Sequence, residues 1–163
     1  MTIRPAIAED APVVAEFNRL LAQETEGREL DAGTVDAGVR ALLEDPAKGR
    51  YFVAVAAGEI VGQIMHTHEW SDWRNGDIWW IQSVYVRADR RGQGVFTGLF
   101  RHLEALARQD PGVRALRLYV ERNNASAQAV YRKLGLHGAE YEVMEVDFTP
   151  LSRVGALGPP DAS

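Results

Sequence analysis

Residues 78–101 read IWWIQSVYVRADRRGQGVFTGLFR and predict a strand, a glycine-containing turn and a helix in immediate succession. The stretch opens with an apolar run typical of a buried strand, and from Val95 onwards apolar residues recur at helical spacing. Glycines let a ligand approach the backbone closely, and the first amide groups of a helix have no acceptor within it. The turn therefore predicts a site for an anion such as a pyrophosphate, flanked by the cations Arg90 and Arg91. From these residues alone, a purely structural glycine turn is an equal alternative.

Length and composition restrict the class of protein. A chain of 163 residues is long enough for one domain with its own core. It has no cysteine, which excludes disulfides, thiolate metal sites and a cysteine nucleophile, and permits a reducing cytoplasm. The net charge of -5 argues against a duplex nucleic-acid binder, because such proteins normally carry a basic surplus. Neither a leader segment nor an apolar run of about 18 residues is present, so we expect a soluble protein without a membrane span.

The predicted elements follow a regular order along the chain. They are a strand at 2–5, helices at about 9–27 and 31–45, strands at 51–56, 60–68 and 78–87, a helix at 95–110, a strand at 115–120, a helix at 125–134 capped by Asn123 or Asn124, and a strand at 141–148. Turn residues between the three middle strands predict an antiparallel meander, and the following strand, helix and strand require a right-handed crossover. We therefore expect a single α/β (α+β) domain over residues 1–148, with a mixed central sheet, a parallel pair formed by the fourth and fifth strands, about four helices, and a loosely held tail at 149–163.

This order of elements resembles the GNAT superfamily of N-acetyltransferases, which use acetyl-coenzyme A (acetyl-CoA). The family's coenzyme motif, Gln/Arg-x-x-Gly-x-Gly/Ala, is matched by residues 91–96, except that Phe96 stands where a small residue is usual. A second family motif is matched independently by Asn124, Ala127, Tyr131, Lys133, Gly135 and Leu136. The resemblance covers residues 2–148.

The resemblance implies a coenzyme site and no metal. Main-chain amides from Arg91 to Thr97 would hold the pyrophosphate, and the strand edge before the turn would pair with the pantetheine arm. The residues implied are Val84, Tyr85, Val86, Arg91, Gly92, Gln93, Gly94, Val95, Phe96, Thr97, Asn124, Ala127, Tyr131 and Lys133. Since a backbone amide donates whatever its side chain, Phe96 is compatible with binding if its ring turns away from the phosphates, and we expect that ring to face the core.

The resemblance also implies direct attack of an amine on the thioester. Tyr131 is the candidate general acid for the departing thiolate, although it is also readable as a packing residue. Several relatives carry a glutamate on the strand before the turn, where this chain has Gln82, which cannot accept a proton but can orient water or substrate. The base would then be Glu69, His66 or His68, or no residue at all if the amine arrives neutral.

Four tryptophans mark the predicted acceptor side: Trp70, Trp73, Trp79 and Trp80. Because side chains alternate along a strand, one of Trp79 and Trp80 should lie in the core and the other should be open. Open rings near Glu24, Glu26, Glu69 and Asp72 would suit an amine with positive charge. The alternatives are a surface loop with core-anchoring rings or a dimer contact.

Two other functions compete with acetyl transfer. Gly92, Gly94 and Gly98 also fit a dinucleotide fingerprint with Glu121 as a ribose acceptor, but an antiparallel meander before the only crossover is the wrong context for it. A catalytically weak sensor or interaction module that binds acyl-CoA is the second alternative, favoured by Gln82 and Phe96 and opposed by Tyr131 and Asn124. The sequence thus predicts a cytoplasmic N-acetyltransferase of a small-molecule amine, with a homodimer as the default assembly and no nucleic-acid or membrane partner.

Overall fold

One mixed sheet organises the fold. The computed structural model describes residues 1–120, 122 and 124–149. Its strands and helices, in chain order, are β1 (Thr2–Pro5), α1 (Ala11–Glu26), α2 (Ala32–Glu44), β2 (Arg50–Ala56), β3 (Glu59–Ser71), β4 (Gly76–Val86), α3 (Val95–Gln109), β5 (Val113–Leu118) and α4 (Ala125–Lys133). The predicted Asn123 cap, Glu121 and residues 150–163 of the predicted tail lie outside the described residues.

The sheet has the order β1-β2-β3-β4-β5, so that each strand lies beside its neighbour in sequence. The first four strands pair antiparallel, and β4 pairs parallel with β5 after the crossover through α3. The predicted meander and parallel pair are confirmed. A dinucleotide-binding fold needs repeated parallel units, and across the described strands only one parallel pair occurs.

The helices cover the two faces of the sheet. The amphipathic helix α3 buries Leu99, Phe100 and Leu103 against one face. On the other face, α1 and α2 contribute Val14 and Val39 to a second core cluster. Because strand residues alternate between the two faces, side chains along β3 and β4 point by turns towards one cluster or the other.

The helix ends follow their sequence signals. Gly27 ends α1 in the left-handed conformation, with φ 60°. The carboxylate of Asp31 accepts a hydrogen bond from the amide of Thr34 at 2.8 Å and so caps α2. Asn124 does the same for α4, accepting from the amide of Ala127 at 3.0 Å. Local contacts therefore mark the end of α1 and the starts of α2 and α4.

The sheet opens between β4 and β5. Their pairing ends at Ile81 opposite Leu118, whereas β4 continues to Val86, so that among the described strands residues 82–86 have no neighbour on that side. The opening coincides with an irregularity in β4, where Ser83 has a φ of 48°. The buried side-chain amide of Gln63 donates to the carbonyl of Ser83 at 3.2 Å and holds this bend. We refer to the opening as the β4–β5 split.

The predicted strand at 141–148 is wrong, because no strand forms over these residues. Tyr141, Met144 and Phe148 are largely exposed, although their spacing favours an extended segment. An alternating pattern expresses a local preference, but a strand also needs a partner that accepts its backbone hydrogen bonds. The fifth strand also begins and ends two residues earlier than predicted, at Val113–Leu118. Among the residues that the structure describes, no helix is both long enough and apolar enough to cross a membrane.

Candidate active site

The turn after β4 exposes main-chain donors. Gly92 and Gly94 have φ values of 72° and 79°, a conformation that glycine adopts without the steric cost of a Cβ. The side-chain amide of Gln93 donates to the carbonyl of Asp89 at 3.0 Å and closes the turn. The amide of Gly98 donates to the carbonyl of Gly94 at 2.9 Å. The amides of residues 95–97 precede this first intrahelical bond and therefore have no acceptor within α3.

A cavity of about 520 Å³ lies between this turn, the open edge of β4 and α4. Its lining residues are Val84, Val86, Arg90, Arg91, Gly92, Gly94, Val95, Phe96, Thr97, Ala127, Val130 and Tyr131. Most of the residues expected at the coenzyme site are thus brought together. Four of them do not line the cavity: Tyr85, Gln93, Asn124 and Lys133.

These four residues have other positions. The ring of Tyr85 is buried on the α1 side, with its centroid 4.9 Å from that of Phe17. Gln93 and Asn124 make the turn and cap hydrogen bonds described above, and Lys133 is exposed at the end of α4. Gln93 and Asn124 therefore shape the backbone around the cavity, and Tyr85 anchors β4 beneath it.

Arg91 connects the cavity to the end of α1. Its Nε donates to the carbonyl of Val86 at 3.0 Å, and its Nη2 donates to Glu24 Oε2 at 2.6 Å. The hydroxyl of Tyr85 donates to the other carboxylate oxygen of Glu24 at 2.9 Å. Hydrogen bonding from Arg91 lowers the pKa of Glu24, which keeps the carboxylate ionised. Glu24, expected at the acceptor side, is thus paired with a residue of the coenzyme motif.

Phe96 and Tyr131 form an aromatic wall of the cavity. Their rings meet edge to face with centroids 5.7 Å apart, and Phe96 also lies 6.2 Å from Phe100. Phe96 is half-buried and lines the cavity without filling it. Burial raises the pKa of Tyr131, so its hydroxyl stays protonated at neutral pH and available as a proton donor.

A second group of predicted residues lies on the α1 side of the sheet, next to the split. The amide of Gln82 donates to Thr67 Oγ1 at 2.8 Å. The indole N–H of Trp80 donates to the carboxylate of Glu69. Thr67, Glu69, Trp80 and Gln82 share this face because they alternate with the residues that face α3.

The two histidines considered as bases lie on the opposite face. His66 is 1% exposed and stacks on Trp79 with ring centroids 4.0 Å apart, and His68 approaches the same pair edge-on. Burial, with smaller contributions from His68 and Arg50, lowers the pKa of His66 to about 4. Trp79 is buried and Trp80 is partly open, as their alternation predicts. The sheet therefore separates both histidines from Gln82 and Glu69.

Trp70 and Trp73 lie at the far end of the β3–β4 hairpin. They are 63% and 90% exposed, and neither lines the cavity. Trp73 lies in the turn between β3 and β4, at the opposite end of β4 from the split. The structure therefore does not bring these two rings together with Trp80.

Two residues of the acceptor side are not predicted from the sequence. Tyr119 stacks on Trp80 with ring centroids 4.5 Å apart, and the guanidinium carbon of Arg117 lies 5.9 Å from the Trp80 ring. Arg117 Nη1 lies 3.8 Å from Glu69 Oε2. We call Glu69, Trp80, Arg117 and Tyr119 the Trp80 cluster. Only the parallel register, which pairs Trp80 with Arg117, brings β5 to this group, and no short motif announces it.

Comparison with known proteins shows the family of the chain. The model of the Acetyltransferase (GNAT) family matches residues 14–136. The chain belongs to the GNAT family. The crystal structure of a possible acetyltransferase from Clostridium difficile 630 superposes on this GNAT chain with a TM-score of 0.86 at 43% identity, covering 91% of this chain and 98% of that one.

Two further relatives extend the comparison. A predicted acetyltransferase with acetyl-CoA from Clostridium acetobutylicum superposes with a TM-score of 0.74 at 18% identity, covering 90% of this GNAT chain and 95% of that one, which shows the fold. The L-methionine sulfoximine/L-methionine sulfone acetyltransferase of Pseudomonas aeruginosa is 28% identical over 106 residues, which are 62% of this chain. The chain spans 60% of the length of that curated relative.

Proposed function

We propose that this GNAT protein transfers an acetyl group from acetyl-CoA to a primary amine of a small molecule, by direct attack within a ternary complex. The observation that carries the proposal is the cavity of about 520 Å³ where main-chain donors, an open strand edge and the partly buried Tyr131 meet. When bound, acetyl-CoA supplies a thioester that the amine attacks, so that a carbon–nitrogen bond forms as the carbon–sulfur bond breaks.

The residues present fit this co-substrate. The amides at the start of α3 and the cations Arg90 and Arg91 would hold the pyrophosphate, since the helix dipole and the guanidinium groups both favour an anion there. The unpaired edge of β4 offers backbone groups to an extended amide-containing chain, as it would to another strand. Val84 and Val86 supply apolar walls to the same cavity. The crystal structure of the Clostridium acetobutylicum protein, which has the same fold and is described with acetyl-CoA, supports the choice of co-substrate.

Tyr131 acts as the general acid in this proposal. Its raised pKa leaves the hydroxyl protonated at neutral pH, and it lines the cavity that would hold the reactive end of the co-substrate. Protonation of the departing thiolate by a positioned hydroxyl lowers the barrier to cleavage of the carbon–sulfur bond. The Phe96 ring limits the positions that Tyr131 adopts by edge-to-face contact.

Gln82 and Glu69 serve the amine. Gln82 lies at the mouth of the split, and its amide N–H donates to Thr67, so that its oxygen would serve as the acceptor for a bound amine or water. Glu69 is the candidate base on the same face, and it accepts the proton that the amine loses, directly or through water. A relative named for amino-acid analogues supports a small-molecule acceptor. The homodimer and the cytoplasmic location stay predictions.

The test is free thiol release from acetyl-CoA across a panel of small primary amines, combined with calorimetry of acetyl-CoA binding. We expect saturable binding and amine-dependent thiol release from at least one class of amine. Binding without turnover on any amine would instead support an acyl-CoA sensor. Absence of binding to the folded protein would overturn both functions, because both require the cavity to hold the coenzyme.

A further inference from the structure

The Trp80 cluster contains a guanidinium whose donors are not used. Arg117 is partly buried, with a side chain that is 28% exposed, and its guanidinium makes no hydrogen bond to any described residue. Arg117 forms an ion pair with Glu69, with Nη1 3.8 Å from Oε2, but this separation is beyond hydrogen-bond distance, so the N–H groups stay available as donors. A planar guanidinium held over an indole face keeps its fork of N–H groups free for a carboxylate.

Glu69 has the complementary property. Its Oε2 accepts from the indole N–H of Trp80, which fixes the carboxylate, while Oε1 has no hydrogen-bond partner within the described part of the chain. An acceptor for an N–H group and a donor for a carboxylate thus lie side by side on one face. In an α-amino acid the amine and the carboxylate are attached to the same carbon, so both can engage such neighbouring charges at once.

The position of the cluster joins it to the proposed reaction. Trp80 and Arg117 form the last pair but one before the strands separate, and Tyr119 is the first residue after β5. Gln82 follows two residues later on the same face as Trp80. A molecule held on the cluster would therefore present its amine towards the β4–β5 split, where the proposed function places the thioester.

The same groups disfavour other amines. A diamine or polyamine would bring a second positive charge towards Arg117, and an amine without a carboxylate would leave the guanidinium N–H groups without a hydrogen-bond acceptor. The stacked rings of Trp80 and Tyr119 offer apolar area to an uncharged side chain.

We propose that Arg117 binds the carboxylate of an α-amino acid acceptor with an uncharged side chain, and that Glu69 binds its amine. This inference rests on the proposed acetyl transfer and names its substrate class. In the reaction the amine nitrogen forms a bond to the acetyl carbon as the carbon–sulfur bond breaks. The protonated amine first gives one proton to Glu69 or to water so that its nitrogen can attack, and the nitrogen loses its second proton to water as the amide forms. The thiolate takes a proton from Tyr131, which regains one from water.

The test compares acceptors that differ only at the carboxylate. Methionine, methioninamide and methylthiopropylamine form one set, and phenylalanine, phenylalaninamide and phenethylamine form another. Thiol release is measured with the full-length protein at saturating acetyl-CoA. We expect kcat/KM for the acid to exceed that for its amide by at least about tenfold in one set, since the amide cannot form a charged, two-point hydrogen-bonded pair with the Arg117 guanidinium.

Variants then assign the preference to Arg117. Arg117→Gln should lower kcat/KM for the acid by roughly ten- to a hundredfold through KM, and leave the amide within about threefold of wild type. Arg117→Lys should retain part of the preference. Arg108→Gln is the matched control, because that side chain is 77% exposed on α3, and it should change neither substrate. A role confined to folding would instead lower turnover of acid and amide equally.

The possible outcomes distinguish failure of the proposed carboxylate site from failure of the proposed acetyl transfer. If amides and decarboxylated amines react as well as the acids in wild type, the carboxylate site is overturned while acetyl transfer stands. If the wild type prefers the acids but Arg117→Gln leaves that preference unchanged, Arg117 is not the residue that binds the carboxylate. If no amine releases thiol although acetyl-CoA binds, the proposed function fails, and the substrate class falls with it.

Discussion

The two sides of the β4–β5 split are built in different ways. On the coenzyme side, consecutive residues of one turn present main-chain groups, and the glycines matter because they permit an unusual backbone conformation. On the acceptor side, the Trp80 cluster gathers side chains from β3, β4 and β5. A site made of main-chain groups is encoded by one continuous stretch of sequence. A site made of side chains from three strands forms only when the register of those strands places the side chains together.

The largest expected effect is on kcat and comes from Tyr131, which acts on the coenzyme side through its side chain. We expect Tyr131→Phe to lower kcat by on the order of tenfold to a thousandfold with little change in acetyl-CoA affinity, because the hydroxyl donates a proton but does not hold the phosphates. Thiol-release assays and calorimetry measure the two quantities. Tyr141→Phe removes a hydroxyl from an exposed ring and should change neither. Unchanged turnover would remove Tyr131 from the mechanism.

Protonation of His66, which lies on the opposite face of the sheet from Gln82 and Glu69, should lower the stability of the fold without affecting the site. His66 has a pKa of about 4 in the fold and no hydrogen-bond partner for either ring nitrogen among the described residues. Its ordinary pKa is about 6.5, so the unfolded chain binds the proton more readily. Stability from neutral His66 is fully present above about pH 6.5 and is lost as pH falls towards 4, by up to about 3 kcal/mol.

Urea unfolding at a series of pH values tests this. His66→Phe keeps an aromatic ring between Trp79 and Phe52 and should flatten the decline in stability across that pH window. His137→Phe makes the same change at an exposed position and should leave the decline as in wild type. Equal declines in wild type and His66→Phe would show that His66 does not titrate in this way.

Gly94→Val tests whether the coenzyme side depends on backbone conformation. A β-branched residue at a φ of 79° should distort the turn and reduce acetyl-CoA affinity by on the order of ten- to a hundredfold. Gly58→Val is a close control, since Gly58 has a φ of 80° in the β2–β3 hairpin and, like Gly94, has open space where a Cβ would stand. Both variants should lose about 1–2 kcal/mol of stability, but only Gly94→Val should lose affinity. Equal affinity loss in both would contradict a main-chain site.

Phe96→Ala should have the smallest effect on binding. The amide of Phe96 remains a donor after the ring is removed, so we expect acetyl-CoA affinity within about threefold of wild type. The half-buried ring packs against Phe100, and its loss should cost about 2 kcal/mol of stability. Leu106→Ala, another half-buried residue of α3 packed on the same core, provides the comparison for stability. A large affinity loss specific to Phe96→Ala would mean that its ring contacts the coenzyme.

The sequence predicts those features of the fold that depend on contacts between neighbouring residues. The ends of α1, α2 and α4 follow from Gly27, Asp31 and Asn124, because each cap is a contact between residues at most a few positions apart. The strand predicted at 141–148 failed because a period-2 pattern cannot supply the neighbouring edge that a strand requires. The family motif located the cavity, since its glycines and its helix start are contiguous.

Other features needed the tertiary structure. Gln63 lies 20 residues from Ser83 in the chain, yet its amide holds the bend that opens the sheet. Glu24 lies 67 residues from Arg91, and no spacing in the sequence indicates that the two form an ion pair. His66 and Glu69 are close in sequence, but the alternation of β3 places them on opposite faces, so only one of them reaches the split.

The sequence by itself determined the order of elements from β1 to α4, the glycine turn and the family, because hydrophobic periodicity, caps and turn residues act over a few positions. The tertiary structure decided which side chains meet beside the split. Arg117 and Tyr119 reach Trp80 only through the parallel register of β4 and β5, two strands that both pack side chains against the α3 core. Contacts between distant strands depend on the fold as a unit, and no local pattern specifies them.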